Sequence, residues 1–123
     1  RIHFTQHDAI DFLSYISKEL PRQSLVCADP PYFGKGADLY TSFYEPSDHA
    51  LLADCILELE CPWITTYDNC QQISDLYRAR RQYDFAVQYS AQTKRLGSEL
   101  LIVSKGLRIG SHLPLELSHR PSA

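Results

Sequence analysis

Residues 25–32 read Leu-Val-Cys-Ala-Asp-Pro-Pro-Tyr, and this stretch decides the fold that the sequence predicts. Its first four residues form a short apolar run, which is typical of a buried strand. The strand ends at Asp29, because the two prolines that follow have a fixed φ and no backbone N–H to donate. The sequence therefore predicts a buried strand with a carboxylate at its carboxyl end.

The segments on both sides of this strand alternate between strand and helix patterns. Apolar residues recur at helical spacing in three segments, and residues 33–46 are a loop rich in Gly and Tyr. The predicted elements are strands over residues 2–6, 25–28 and 62–67, an antiparallel pair over residues 85–90 and 100–103, and helices from Asp8 to before Pro21, from a cap at Asp48 to Leu59, and over residues 73–81. Beyond Gly106 the pattern dissolves into a loosely held tail.

This order of elements predicts an α/β fold. It implies a mostly parallel sheet with helices on its faces and one antiparallel strand at the end. Ligands of such sheets bind at the carboxyl ends of the strands. That rule places Asp8, residues 29–32 and the pair Asp68-Asn69 along one rim, although each of them alone also fits a helix cap or a turn.

Composition sets the broad class of the protein. The chain has 123 residues with 44% hydrophobic residues, and its 12 Lys and Arg stand against 15 Asp and Glu, as in an ordinary globular domain. No apolar stretch is long enough for a membrane helix, so we expect a soluble, cytoplasmic protein. The sequence contains no Met, which suggests a piece of a longer protein. Its four cysteines lack zinc spacing and are expected to be buried free thiols, so no metal site is predicted.

The Asp-Pro-Pro-Tyr segment suits chemistry on an amino group. The amino nitrogen of a purine or pyrimidine is a poor nucleophile, because its lone pair is delocalised into the ring. Asp29 and the carbonyl of Pro30 can each accept one of its hydrogens, and the carboxylate can stabilise the positive charge that develops on nitrogen. Tyr32 can stack on a base taken out of its duplex. The structural alternative is a turn in which Asp29 accepts a backbone N–H and Tyr32 packs its ring.

Several blocks in order resemble the adenine-specific DNA methyltransferases of the DNA adenine methylase class. They span most of the chain and comprise residues 25–40, Asp48-His49, and residues 62–69, 89–91 and 99–101. The Asp-Pro-Pro-Tyr block alone also suits cytosine-N4, RNA and, with Asn first, protein-glutamine methyltransferases. The later blocks narrow the resemblance to adenine in DNA.

The resemblance implies roles for individual residues. Asp29, Pro30, Pro31 and Tyr32 match the catalytic motif, in which Asp29 and the Pro30 carbonyl hold the target amino group and Tyr32 stacks on the flipped adenine. Asp8 matches the acidic position that contacts the adenosine part of S-adenosylmethionine, with a helix N-cap as the rival interpretation. Lys94 and Arg95 fall where the family approaches DNA, and an exposed hairpin turn is the alternative for them. Tyr40, Tyr44 and His49 match a family segment without an assigned role.

We therefore expect a partial Rossmann-like methyltransferase fold, with residues 1–106 as a C-terminal catalytic part and residues 107–123 as a loosely ordered tail. The expected reaction transfers a methyl group from S-adenosylmethionine to the 6-amino group of adenine in double-stranded DNA. The glycine-rich turn of the cofactor site is missing, so the segment is expected to be inactive alone. The alternatives are an RNA or cytosine-N4 methyltransferase and a degenerate, non-catalytic segment that binds nucleic acid.

Overall fold

The computed structural model describes residues 1–34, 44–88 and 96–122. In chain order the elements are α1 (Ala9–Ile16), β1 (Val26–Ala28), α2 (Pro46–Leu57), β2 (Trp63–Asp68), α3 (Gln71–Leu76), β3 (Arg81–Gln88), β4 (Leu96–Val103) and β5 (Glu116–His119). The strands form a five-stranded sheet in the order β1-β2-β4-β3-β5. The prediction of a mixed α/β fold is confirmed at this level.

The sheet is mostly antiparallel, so the prediction of a mostly parallel sheet was wrong. Only β1 and β2 run parallel among the described strands. Strand β4 lies antiparallel between β2 and β3, and β5 adds antiparallel to β3. The β3–β4 pair is antiparallel, as expected for strands joined by a short connection. Because β4 rather than β3 adjoins β2, and because β5 pairs with β3, two further antiparallel pairs form. A Rossmann-like arrangement is therefore not confirmed.

The predicted strand at the start of the chain is also absent. Residues 1–8 form no regular element, and Ile2 and Phe4 are 81% and 93% exposed. Alternating apolar residues make a strand only where a neighbour accepts their backbone hydrogen bonds. In the described structure β1 pairs only with β2, so residues 1–8 add no strand to the sheet.

The first two helices begin for different reasons. Asp8 caps α1, since its Oδ2 accepts the backbone N–H groups of Ile10 and Asp11 at 3.1 Å each. The predicted cap of α2 was wrong: the N-cap is Glu45, Pro46 follows it, and Asp48 accepts the backbone N–H of Glu45 at 2.8 Å from within the first turn. No helix in the described ranges is long and apolar enough to span a membrane.

The C-terminal segment contains a strand where a loosely held tail was expected. Strand β5 pairs with β3, in the register Gln82 to His119 and Tyr83 to Leu117. Ser118 Oγ donates to the Gln82 carbonyl at 3.2 Å, and His119 Nε2 donates to the carbonyl of Arg78 at 2.7 Å. These contacts are mainly to backbone atoms, so the apolar pattern of the sequence does not reveal them.

The core lies on one face of the sheet. Along β2, Trp63, Thr65 and Tyr67 are buried, whereas the alternate residues are only half-buried. Tyr77, just after α3, packs its ring at 6.2 Å from Trp63 and 6.1 Å from Tyr67 between centroids. The four cysteines are free, as expected, but Cys27 is exposed.

The opposite face of the sheet carries the polar end of β2. Thr66 and Asp68 share this face, because side chains alternate along a strand. Their partners in the register with β4 are Leu101 and Glu99. Since residues opposite each other in an antiparallel pair lie on the same face, Thr66, Asp68 and Glu99 are neighbours there.

Candidate active site at the carboxyl ends of the parallel strands

Asp29 follows β1 directly and lies beside the end of β2. Thr66 Oγ1 donates a hydrogen bond to Asp29 Oδ1 at 3.1 Å. The Asp29 side chain is exposed, and its Oδ2 accepts no hydrogen bond from the described residues. The carboxylate is thus oriented through one of its two oxygens.

The two prolines that follow fix the backbone beside this carboxylate. Pro30 is buried and Pro31 is half-buried. Their rings hold φ near −65°, so the path of the chain after Asp29 has little freedom. In the part of the chain that the structure describes, no backbone N–H donates to the Pro30 carbonyl. The carbonyl lies one residue along the chain from Asp29 and belongs to a buried residue.

Asp68 holds the backbone after Tyr32. Its Oδ1 accepts the backbone N–H of Phe33 and its Oδ2 accepts that of Gly34, both at 2.7 Å. A Cβ at Gly34 would lie 3.1 Å from Asp68 Oδ2, so the absence of a side chain there permits the close approach. Residues 29–34 and Asp68 lie at one rim, as predicted, whereas the Asp8 carboxylate bonds only to the backbone of α1 among the described residues.

Tyr32 is anchored by a residue of the neighbouring strand. Its hydroxyl donates to Oε1 of Glu99, which is only 8% exposed and lies opposite Asp68 in the sheet. The Tyr32 ring itself is half-buried. Residues 29–34 are therefore fastened by three side chains, Thr66, Asp68 and Glu99, which belong to β2 and β4.

No protein-family model matches the chain, and no curated protein matches it. The resemblance to adenine methyltransferases rests on the motif blocks of the sequence alone. What the site does must accordingly be argued from the chemistry of residues 29–34 and of the three side chains that hold them.

A buried histidine supports the same segment from the core side. His49 is 1% exposed, and its ring lies 5.2 Å from Phe33, 5.4 Å from Tyr44 and 5.6 Å from Tyr67 between centroids. Its Nδ1 is 3.3 Å from the Tyr67 hydroxyl, whereas Nε2 has no hydrogen-bond partner in the described structure. Burial lowers the His49 pKa, and the nearby carboxylates of Asp68 and Asp48 oppose this shift more weakly.

The His49 shift predicts how stability depends on pH. In the unfolded chain a histidine titrates near 6.5, so below about that pH the unfolded state binds more protons than the folded state. The contribution of the neutral ring to folding is therefore complete above about pH 6.5 and is lost as the pH falls towards the lowered folded-state pKa.

We expect the wild type to lose more stability than His49→Phe between pH 7 and pH 5, as measured by urea unfolding. The other histidines are common to both proteins, so their contributions cancel in the comparison. Equal losses in the two proteins would contradict a lowered pKa at position 49.

Asp8 has a structural role that is now visible. As the cap of α1 it uses Oδ2 for both backbone hydrogen bonds, and Oδ1 accepts none from the described residues. Its negative charge, with that of Asp48, adds to the effect of burial in raising the Tyr44 pKa. The cap is observed, and the contact with a cofactor stays a prediction.

Lys94 and Arg95 lie outside the described residues, as does Tyr40. Across residues 1–34, 44–88 and 96–122, no three or more His, Cys, Asp or Glu side chains are grouped as a metal site would require.

Sequence reasoning missed the roles of Asp68, Thr66 and Glu99. Asp68 was placed at the correct rim but was interpreted only as part of a turn. Its partners lie 34 and 35 residues earlier, and Glu99 is 67 residues from Tyr32. The one usable signal was the position of Asp68 at the end of a strand parallel to β1.

Proposed function

We propose that this chain carries the catalytic part of a methyltransferase that uses S-adenosylmethionine and acts on the 6-amino group of adenine in double-stranded DNA. The observation that carries the proposal is the fastening of residues 29–34 by three side chains, with Asp29 exposed at the carboxyl ends of β1 and β2. A fixed backbone with accessible acceptors is what chemistry on an amino group requires.

In the proposed reaction Asp29 Oδ2 and the Pro30 carbonyl each accept one hydrogen of the amino group. This pair of hydrogen bonds draws the nitrogen lone pair out of conjugation with the ring. S-adenosylmethionine, when bound, would supply an electrophilic methyl group, whose bond to sulfur breaks as the bond to nitrogen forms, so that S-adenosylhomocysteine is the leaving group. Asp29 stabilises the positive charge on the nitrogen and takes one of its protons, so the product is a neutral methylamino group.

Tyr32 supplies the surface on which the base rests. An adenine inside a duplex is out of reach of Asp29, so the proposed reaction requires the base to be rotated out of the helix. The half-buried Tyr32 ring, fastened through its hydroxyl, is suited to stack on the extruded base. Lys94 and Arg95 are proposed to contact the DNA near the target base, on the motif resemblance alone.

The residues of the chain fit one part of the proposed cofactor. Asp8 is exposed, and its Oδ1 accepts no hydrogen bond from the described residues, so a carboxylate oxygen is available to a donor of the adenosine part. No glycine-rich turn that would seat the methionine part exists in the sequence. We therefore propose that Asp8 contributes to the cofactor site and that the 123 residues do not complete it.

The choice of adenine in DNA rests on the later motif blocks, residues 62–69 and 99–101 in particular. The geometry of residues 29–34 suits the amino group of cytosine, and a base in RNA, equally well. A test of the proposal must therefore identify the methylated base as well as detect the transfer.

The deciding experiment measures transfer of labelled methyl groups to unmethylated duplex DNA and, in parallel, to RNA. It uses the full-length protein, meaning this chain with whatever sequence its gene places around it, beside the 123-residue chain. We expect 6-methyladenine in DNA from the full-length protein only, identified by nucleoside chromatography. Methylcytosine or methylated RNA would instead support the rival substrates, and DNA binding without any transfer would indicate a non-catalytic segment.

A further inference from the structure

We propose that Glu99 is a positioning residue, which holds the Tyr32 ring in the orientation that stacks on the target base. The inference rests on the proposed function, because it assigns Tyr32 a base to contact. It adds a residue of β4, far from the Asp-Pro-Pro-Tyr segment in sequence, to the machinery of the same site.

Glu99 lies at a buried position in the interior of the sheet. It lies on β4 opposite Asp68, on the sheet face that also carries Thr66, and its side chain is 8% exposed. Strand β4 is paired on both sides, to β2 and to β3, so its backbone is held by hydrogen bonds along both edges. A side chain on this strand therefore offers the Tyr32 hydroxyl an acceptor whose backbone is fixed.

The contact between Tyr32 and Glu99 joins a phenol to a carboxylate. A carboxylate is costly to bury, so a glutamate at a nearly inaccessible position needs hydrogen-bond donors. The Tyr32 hydroxyl is one of them, and a hydrogen bond from a phenol to a carboxylate is among the stronger kinds. Since this bond restrains the far end of the ring while the prolines restrain the backbone, Tyr32 is held at both ends.

The three fastening residues hold different parts of the segment. Thr66 orients the Asp29 carboxylate and Asp68 holds the backbone of Phe33 and Gly34, but neither of these contacts reaches the Tyr32 ring. Stacking depends on the position of that ring over the base. Glu99 is thus placed to affect the base-stacking surface separately from the amino-group acceptors.

The test is a double-mutant cycle in the full-length protein, with Glu99→Leu, Tyr32→Phe and the two combined. Glu99→Leu removes the acceptor at nearly constant size, and Tyr32→Phe removes only the donor. We expect each single change to lower the single-turnover rate of methyl transfer by about 10- to 100-fold, the scale of one hydrogen bond to a charged group. The combined variant should be no slower than either single variant.

Two controls separate positioning from a general structural effect. Glu99→Gln keeps an acceptor at the same place and should retain most of the rate. Glu116→Leu removes an exposed carboxylate from β5 of the same sheet and should leave the rate unchanged. If Glu99→Leu still slows transfer in the Tyr32→Phe background, Glu99 acts by some route other than Tyr32 and the inference is wrong.

A second readout does not depend on activity. In protein labelled with fluorotyrosine, the Tyr32 fluorine resonance is identified by its loss in Tyr32→Phe. Glu99→Leu should shift and broaden it, while Glu116→Leu should not. If the wild type transfers no methyl group but the resonance responds, the proposed function fails and the anchoring of the ring stands. If the resonance does not respond, the inference fails whatever the activity.

Discussion

Replacing Asp29 with Ala in the full-length protein is expected to lower the rate of methyl transfer by about 10²–10³-fold, the effect of losing one preorganised group at a reacting centre. In the proposed reaction the carboxylate is one of two acceptors for the amino group, and it carries the only negative charge among residues 29–34. The loss should fall on the single-turnover rate rather than on DNA affinity, because Asp29 acts on charge that develops during the reaction.

Asp29→Asn keeps the size of the side chain and one oxygen, but it removes the charge and the ability to take a proton. We expect it to lose nearly as much activity as Asp29→Ala, while Asp54→Asn, an exposed carboxylate on α2, should lose none. Folding stability should change by less than about 1 kcal/mol for Asp29→Ala, since Asp29 is exposed and makes one side-chain hydrogen bond. An unchanged rate for Asp29→Ala would refute the assignment of Asp29 as the acceptor.

Local pattern was sufficient for the start of α1 and for the end of β1. Helix α1 begins at its Asp8 cap, and β1 ends where the prolines require it, because capping and the geometry of proline depend on adjacent residues. The rim formed by Asp29 and Asp68 was also predictable, since it follows from two neighbouring parallel strands.

The topology was not predictable, because strand order depends on contacts between distant residues. The pattern of apolar and polar residues along β3 and β4 is the same whether β3 or β4 adjoins β2. The choice is seen only in the structure, where β2 pairs with β4 from Ile64–Val103 to Asp68–Glu99. Strand β5 has Leu117 as its one aliphatic residue, so it shows no hydrophobic periodicity in the sequence. Backbone hydrogen bonds join it to β3.

The same limit explains why the fastening residues of the site were missed. Asp, Thr and Glu near strand ends are ordinary surface residues until their partners are known. Glu99 becomes informative only when β4 is placed beside β2, since that pairing brings its buried carboxylate to the Tyr32 hydroxyl.

Asp68→Ala is expected to have the second-largest effect, and on stability as well as on activity. The change removes the two oxygens that accept the backbone N–H groups of Phe33 and Gly34. Phe33 is half-buried, whereas Gly34 is exposed. We expect a loss of about 2 kcal/mol in the free energy of unfolding, measured with urea, a value kept low because Gly34 is exposed to water. Methyl transfer should fall by about 10²-fold, because a small displacement of residues 29–34 misaligns the acceptors.

Two comparisons make this prediction specific to the hydrogen bonds. Asp68→Asn keeps one acceptor oxygen and should lie between Asp68→Ala and the wild type in both measurements. Asp75→Ala, an exposed carboxylate on α3, should change stability by less than about 0.5 kcal/mol. Amide hydrogen exchange supplies the local readout, since Phe33 and Gly34 should lose protection in Asp68→Ala while the amides of β4 keep theirs. If those two amides exchange at the wild-type rate in Asp68→Ala, Asp68 does not hold the segment, and the fastening of residues 29–34 then rests on Thr66 and Glu99 alone.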